Sequence, residues 1–190
     1  YSSGTPAYGV GAGNAVVIVD ETADLADAAR KIMLSKTFDF ATSCSSENSI
    51  VVVDSIYDRL MALLQEQGGY LADAEGKKKL QAMLWVDGHL SRDITAQPAD
   101  KLAEMAGIAL PAGKSFFMVP ETGVGPDAPF SGEKMCVVLT VYRVPSFEAA
   151  IQKVNAITEY QGKGHSCGLH STDRARIIEL GIKTRVSRIM

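Results

Sequence analysis

Two uninterrupted runs of mostly β-branched residues, at 15–19 and 50–53, most constrain what this chain can fold into. A strand with one wet face alternates apolar and polar side chains; these runs do not alternate, so each reads as a strand buried on both faces. Between them, Leu25, Ala28, Ala29, Ile32 and Met33 recur at helical spacing, which predicts a helix over 23–36 capped by Thr22 or Asp20. The same reading continues downstream. Helices are predicted over 56–67 (Ile56, Leu60, Leu63 and Leu64 inward, ended by Gly68-Gly69), 77–84, 100–106, 147–159 (capped by Ser146) and 173–180. Strands are predicted over 115–119 and 137–142, and Arg188-Ile189-Met190 stops inside a further one. Such alternation implies a three-layer α/β/α domain with a mostly parallel sheet, whose functional loops gather at one edge of the strands.

The chain of 190 residues is long enough to bury a real core, and 46% hydrophobic with 22% charged residues is ordinary for a globular protein. A net charge of −3 gives no electrostatic reason to bind nucleic acid or an acidic membrane surface. No apolar run is long enough to span a bilayer, and Tyr1-Ser2-Ser3-Gly4 carries no signal pattern. Three widely spaced cysteines without a CxxC argue against a disulfide framework or a zinc site, so no metal and a reducing cytoplasm are expected.

Cys44 stands apart from the other two. It lies in Thr42-Ser43-Cys44-Ser45-Ser46, on a loop between a helix and a strand. A cysteine kept for packing sits among apolar neighbours. Here hydroxyls and backbone amides surround it, and such groups can hydrogen-bond a thiolate and lower a thiol pKa. Local composition alone supports both a nucleophile and an inert loop cysteine. Cys136 opens an apolar strand and reads as core. Cys167 lies close to His165, which fits either a Cys–His pair or a buried strand. Gly9, Gly11 and Gly13 precede a strand, whereas a dinucleotide-binding glycine loop follows one, so a phosphate-cradling role is discounted. The Lys77-Lys78-Lys79 run reads as a solvated helix face and His89 as a surface or capping residue.

Several motifs in register resemble the aldehyde dehydrogenase superfamily, within it the coenzyme-A-acylating branch. They are Gly11-Ala12-Gly13-Asn14, Asp20-Glu21-Thr22-Ala23-Asp24, Ser35-Lys36-Thr37-Phe38-Asp39, Cys44-Ser45-Ser46-Glu47-Asn48-Ser49, Pro129-Phe130-Ser131-Gly132-Glu133-Lys134 and Gly164-His165. The resemblance implies that Cys44 is the catalytic thiol and that Glu133 binds the ribose of NAD or NADP. Asn14 and His165 are candidate auxiliary residues, with a structural role weighted higher for His165. It further implies that residues 1–190 are the thiol-bearing catalytic domain, with the cofactor-binding domain largely outside this chain, and that the full-length enzyme is a homo-oligomer.

In hydrolytic members a Glu in a Glu-Leu-Gly-Gly-Lys loop activates the deacylating water. Counting back from Cys44 without gaps, Val10 stands at that Glu and Asn14 at the Lys. A valine abstracts no proton, whereas a thiol cosubstrate attacks a thioester well without such a base. The implied reaction is oxidation of a small aldehyde through a Cys44 thioester to acyl-CoA, with coenzyme A as cosubstrate. Three readings compete with it: hydrolytic release of a free acid, reduction of an acyl phosphate, and a non-enzymatic interaction module of the same fold. Two departures from the family pattern are Val16, where the acylating branch usually has proline, and Met135-Cys136-Val137 in place of Leu-Ser-Pro. The aldehyde itself is open, although the Cys44 and Glu133 motifs look somewhat closer to sulfoacetaldehyde enzymes.

Overall fold

The computed structural model describes residues 4–190; Tyr1, Ser2 and Ser3, read above for a leader pattern, lie outside the described residues. Seven strands form the main sheet: β1 (Val16–Val19), β2 (Ser49–Val53), β3 (Gly69–Leu71), β6 (Phe116–Pro120), β7 (Val138–Val144), β8 (Ser166–His170) and β9 (Arg188–Ile189). Their order is β3-β6-β7-β2-β1-β8-β9, and every pairing is parallel. β4 (Trp85–Val86) and β5 (His89–Leu90) make a separate antiparallel hairpin. Six helices complete the three layers: α1 (Leu25–Thr37), α2 (Asp54–Glu66), α3 (Ala74–Leu84), α4 (Ala99–Ala106), α5 (Phe147–Tyr160) and α6 (Arg174–Lys183).

The unbroken apolar runs are explained by two cores, one on each side of the sheet. Val17, Val19, Ile50 and Val52 face a core shared with α1 to α4, while Val16, Ile18 and Val51 face one built from α5 and Leu180 of α6. Alternate residues of one strand therefore point into opposite cores, and no position is left for a polar side chain. Cys136 and Cys167 are both buried, as the strand readings require.

Local details depart from the sequence reading in places. The cap of α1 is Asp24, whose carboxylate accepts from the Ala26 and Asp27 N–H groups. Asp20 is instead buried, takes hydrogen bonds from the Thr22 N–H and hydroxyl, and faces Arg176 at 3.1 Å. Burial pushes its carboxyl up, but bonds from Ser171, Thr22 and Arg176 outweigh that and hold it below the usual range. The short strands β3 to β5 escaped the sequence reading because two or three residues show no periodicity. Lys77 is not merely solvated: it bonds the Pro120 carbonyl and the Glu121 carboxylate and lies over the Phe130 ring. Trp85 meets Phe130 edge-on at 5.0 Å, so the hairpin braces the segment that carries Glu133. Among the described residues no helix is long and apolar enough to cross a membrane.

Because the sheet is parallel, the segments entering β1, β2, β7 and β8 arrive at one edge. The segments carrying Asn14, Cys44, Glu133 and His165 all lie at the amino ends of these strands, opposite to the carboxyl ends that open α/β sheets ordinarily use. What brings Cys44 there is α1, and its amino-terminal cap is a single carboxylate. Asp24→Ala is expected to lower unfolding free energy by about 1 kcal/mol, read from urea denaturation, with labelling of the exposed Cys44 by a thiol reagent unchanged.

Candidate active site

The approach to Cys44 is a backbone reversal. After α1, Asp39, Phe40 and Ala41 all adopt left-handed backbone (φ 47°, 50° and 61°), a conformation that costs non-glycine residues about 1 kcal/mol or more each. The Thr42 hydroxyl donates to the Asp39 carboxylate and helps hold the turn. Cys44 follows, exposed, between Ser43 and Ser45, whose hydroxyls lie 3.0 Å apart.

Cys44 shares a small cleft with Asn14, Lys36, Ser43, Asn48 and Glu133. Gly13 makes this closeness possible. A Cβ there would lie 2.6 Å from Glu133 Oε1 and 3.0 Å from Cys44 Cβ, so any side chain would push the carboxylate and the cysteine apart. Glu133 Oε1 accepts weakly from the Asn14 N–H at 3.4 Å, and the Glu133 N–H donates to Gln161 Oε1 at 2.9 Å.

Asn14 and Asn48 form the floor. Asn14 is buried with φ 49°, a backbone state that asparagine tolerates better than most residues. Its side-chain amide donates to the carbonyls of Ser131 (3.0 Å) and Gln161 (2.8 Å), while its Oδ1 accepts from Asn48 Nδ2 at 2.5 Å. Asn48 Nδ2 also donates to the Gly132 carbonyl at 2.6 Å, and Asn48 Oδ1 accepts from the Lys134 N–H. Two side chains thus tie together the segments before β1, β2, β7 and β8. Both amides are consumed in doing so, which makes Asn14 a staple of the site.

Two lysines lie beneath. Lys134 is fully buried and donates to the carbonyls of Phe130 and Gly132; burial, and then the nearby charge of Lys36, hold its ammonium well below the usual lysine range. Lys36, 2% exposed, donates to the Glu47 carbonyl at 3.0 Å. Burial pulls it from 10.5 down to about 8. That difference corresponds to roughly 3 kcal/mol of stability forgone at neutral pH. Burial likewise raises the Glu47 carboxyl and the Cys136 thiol, and Glu47 Oε2 has no hydrogen-bond partner among the described residues.

The structure brings Cys44, Glu133 and Asn14 together and leaves His165 outside the cleft lining. The His165 carbonyl accepts from the Ser187 N–H and hydroxyl, and its Nδ1 is buried with no partner among the described residues. Val10 is 94% exposed and apolar, so that segment presents no proton acceptor there. Among the described residues lining the cleft, the one carboxylate beside Cys44 is Glu133, arriving from the other side. Lys36, Asn48 and Lys134 escaped the sequence reading as site residues, although Lys36 continues the Leu25–Ile32 face of α1 and so carried a signal of burial. A larger groove of about 600 Å³, lined by Phe40, Pro98, Ala103, Leu110 and Val137 among others, has no cysteine among its described lining residues. Chemistry, not size, selects the cleft at Cys44.

Residues 10–190 match the model of the aldehyde dehydrogenase family. The chain is 47% identical over 192 residues to a sulfoacetaldehyde dehydrogenase (acylating) of Cupriavidus necator, covering 100% of this chain and 39% of that protein. An acetylating aldehyde dehydrogenase from Geobacillus thermoglucosidasius superposes with a TM-score of 0.94 at 39% identity, over 100% of this chain and 42% of that one. A Rhodopseudomonas palustris propionaldehyde dehydrogenase, solved with bound CoA and an acylated cysteine, gives a TM-score of 0.85 at 26% identity, over 99% of this chain and 43% of that one. The chain therefore spans about two fifths of the length of these relatives. A parallel α/β domain with an exposed cysteine and a carboxylate at the amino edge of its sheet, matched over residues 10–190, belongs to the aldehyde dehydrogenase family.

Proposed function

We propose that this chain is the thiol-bearing domain of a coenzyme-A-acylating aldehyde dehydrogenase, and that the rest of the enzyme supplies most of the cofactor site. One observation carries the reading: Cys44 and Glu133 meet across Gly13, while the segment that bears a base in hydrolytic relatives presents the apolar, exposed Val10. The share of each relative covered supports the domain assignment.

In this reading the Cys44 thiolate adds to the carbonyl carbon of a short aldehyde, and the developing oxyanion is met by the Cys44 backbone N–H. NAD or NADP, when bound, supplies the hydride acceptor. Glu133 fits its nicotinamide ribose because a carboxylate at the cleft offers several acceptor lone pairs to a diol. Loss of hydride leaves the acyl group on Cys44 as a thioester. The coenzyme A thiol, giving up its proton, then displaces the Cys44 sulfur and carries the acyl group away. Asn14 and Asn48 keep the walls fixed, and His165 orients the segment before β8.

The relative at 47% identity points to sulfoacetaldehyde among the short aldehydes. The full-length enzyme is proposed to be a cytoplasmic homo-oligomer.

Adding coenzyme A to the full-length enzyme with a panel of short aldehydes separates the readings: acyl-CoA is expected as product, and free acid formed at the same rate without coenzyme A would overturn the proposal. Cys44→Ala is expected to abolish acyl-CoA formation while leaving the melting temperature within about 2 °C, since an exposed thiol packs against little. Glu133→Ala is expected to raise the KM for the nicotinamide cofactor by about 10- to 100-fold, the worth of hydrogen bonds to a charged acceptor. An unchanged cofactor KM would remove Glu133 from that role.

A further inference from the structure

Lys36 is an unusual residue to find in the last turn of α1. It continues the buried face of Leu25, Ala28, Ala29 and Ile32, where an apolar side chain would complete the core. The residue is 2% exposed, and the one hydrogen bond of its ammonium among the described residues goes to the Glu47 carbonyl. The titratable groups facing it are the Cys136 thiol and the Lys134 ammonium, both from the segment before β7, and the Glu47 carboxylate from the segment before β2. No carboxylate lies within ion-pair distance of it among the described residues. Burial disfavours its charge, and the Cys136 and Glu47 groups offset only part of that.

The bond it does make falls on the Cys44 loop. Lys36 Nζ to the Glu47 carbonyl, with Ser46 Oγ to the Ser35 carbonyl at 3.0 Å, hangs segment 42–48 from the end of α1. The same lysine lines the cleft beside Cys44. We propose that Lys36 is a positioning residue, holding the Cys44 loop in its reactive seat at the expense of the stability of the domain. The part that concerns turnover rests on Cys44 being the reacting thiol.

The pH dependence has a definite sign. The folded value is about 8 and the unfolded value 10.5. Below pH 8 the lysine is charged in both states and the full burial cost is present. As pH rises from 8 towards 10.5 the unfolded chain keeps a proton that the folded one has released, so this group's cost to stability fades. Replacing Lys36 with an apolar residue of similar length should therefore stabilise the protein most near neutrality.

The test uses full-length Lys36→Met and Lys36→Arg. For Lys36→Met, the melting temperature is expected to equal or exceed that of the unchanged protein near pH 7, with the advantage shrinking near pH 10. Hydrogen exchange of the 42–48 amides is expected to accelerate by about 10-fold or more with the sheet amides unchanged. Turnover to acyl-CoA is expected to fall about 10-fold or more, with the aldehyde KM held within about threefold. Lys36→Arg, which keeps charge and donor, should restore most of the loop protection and turnover.

Unchanged exchange over 42–48 in Lys36→Met would overturn the proposal. So would faster loop exchange with unchanged turnover. A melting temperature lowered by more than about 5 °C, or a protein that fails to fold, would make Lys36 a requirement of the fold and overturn it equally. Exchange and melting are read without substrate, so they judge the loop even if the enzyme proves to make no acyl-CoA.

Discussion

The site depends on the contact between Asn14 and Asn48. Their side chains meet at 2.5 Å, and through them the segments before β1, β2, β7 and β8 are joined by hydrogen bonds to the carbonyls of Ser131, Gln161 and Gly132 and the N–H of Lys134. Each of those backbone groups is buried or nearly so, and an unpaired buried polar group costs more than a formed bond gains. The network therefore admits one arrangement of four loops. Cys44 and Glu133 face each other because that arrangement is fixed and because Gly13 leaves the space between them empty.

Around this network the domain tolerates features that a fold optimised for stability alone would lack. Three consecutive non-glycine residues take left-handed backbone just before Cys44. Among the described residues, two lysines are buried without carboxylate partners, and Glu47 Oε2 and His165 Nδ1 are buried without hydrogen bonds. The two apolar cores, filled by residues such as Ile18, Val51, Ile50 and Val52 at 0% exposure, carry the opposing favourable term. Strain concentrates at the amino edge of the sheet, beside Cys44, and the opposite edge is knit by ordinary ion pairs such as Arg176 with Asp20 and Glu21.

Much of this was legible in the residues. The non-alternating runs at 15–19 and 50–53 announced strands buried on both faces, and the helical registers of α1, α2 and α5 were correct to within a few residues. Cys44, and with it the Glu133 motif, was visible as a polar-flanked thiol and through family resemblance. What stayed hidden is long-range. Asp24 rather than Asp20 or Thr22 caps α1 because Asp20 is claimed by Arg176, more than a hundred residues away. Asn14 and Asn48 meet through the parallel pairing of β1 with β2, which local spacing does not show. Lys36 reads as a polar helix end until burial of the α1 face places it inside.

In the proposed reaction an acyl group resides on Cys44 until coenzyme A removes it. Incubating the full-length enzyme with aldehyde and nicotinamide cofactor, but no coenzyme A, and mapping the adduct by peptide mass spectrometry tests this most directly. The mass of one acyl group should appear on the peptide bearing Cys44 and vanish on addition of coenzyme A, with matching acyl-CoA in solution. An acyl adduct on another residue, or one that leaves as free acid while coenzyme A stays unacylated, would contradict it.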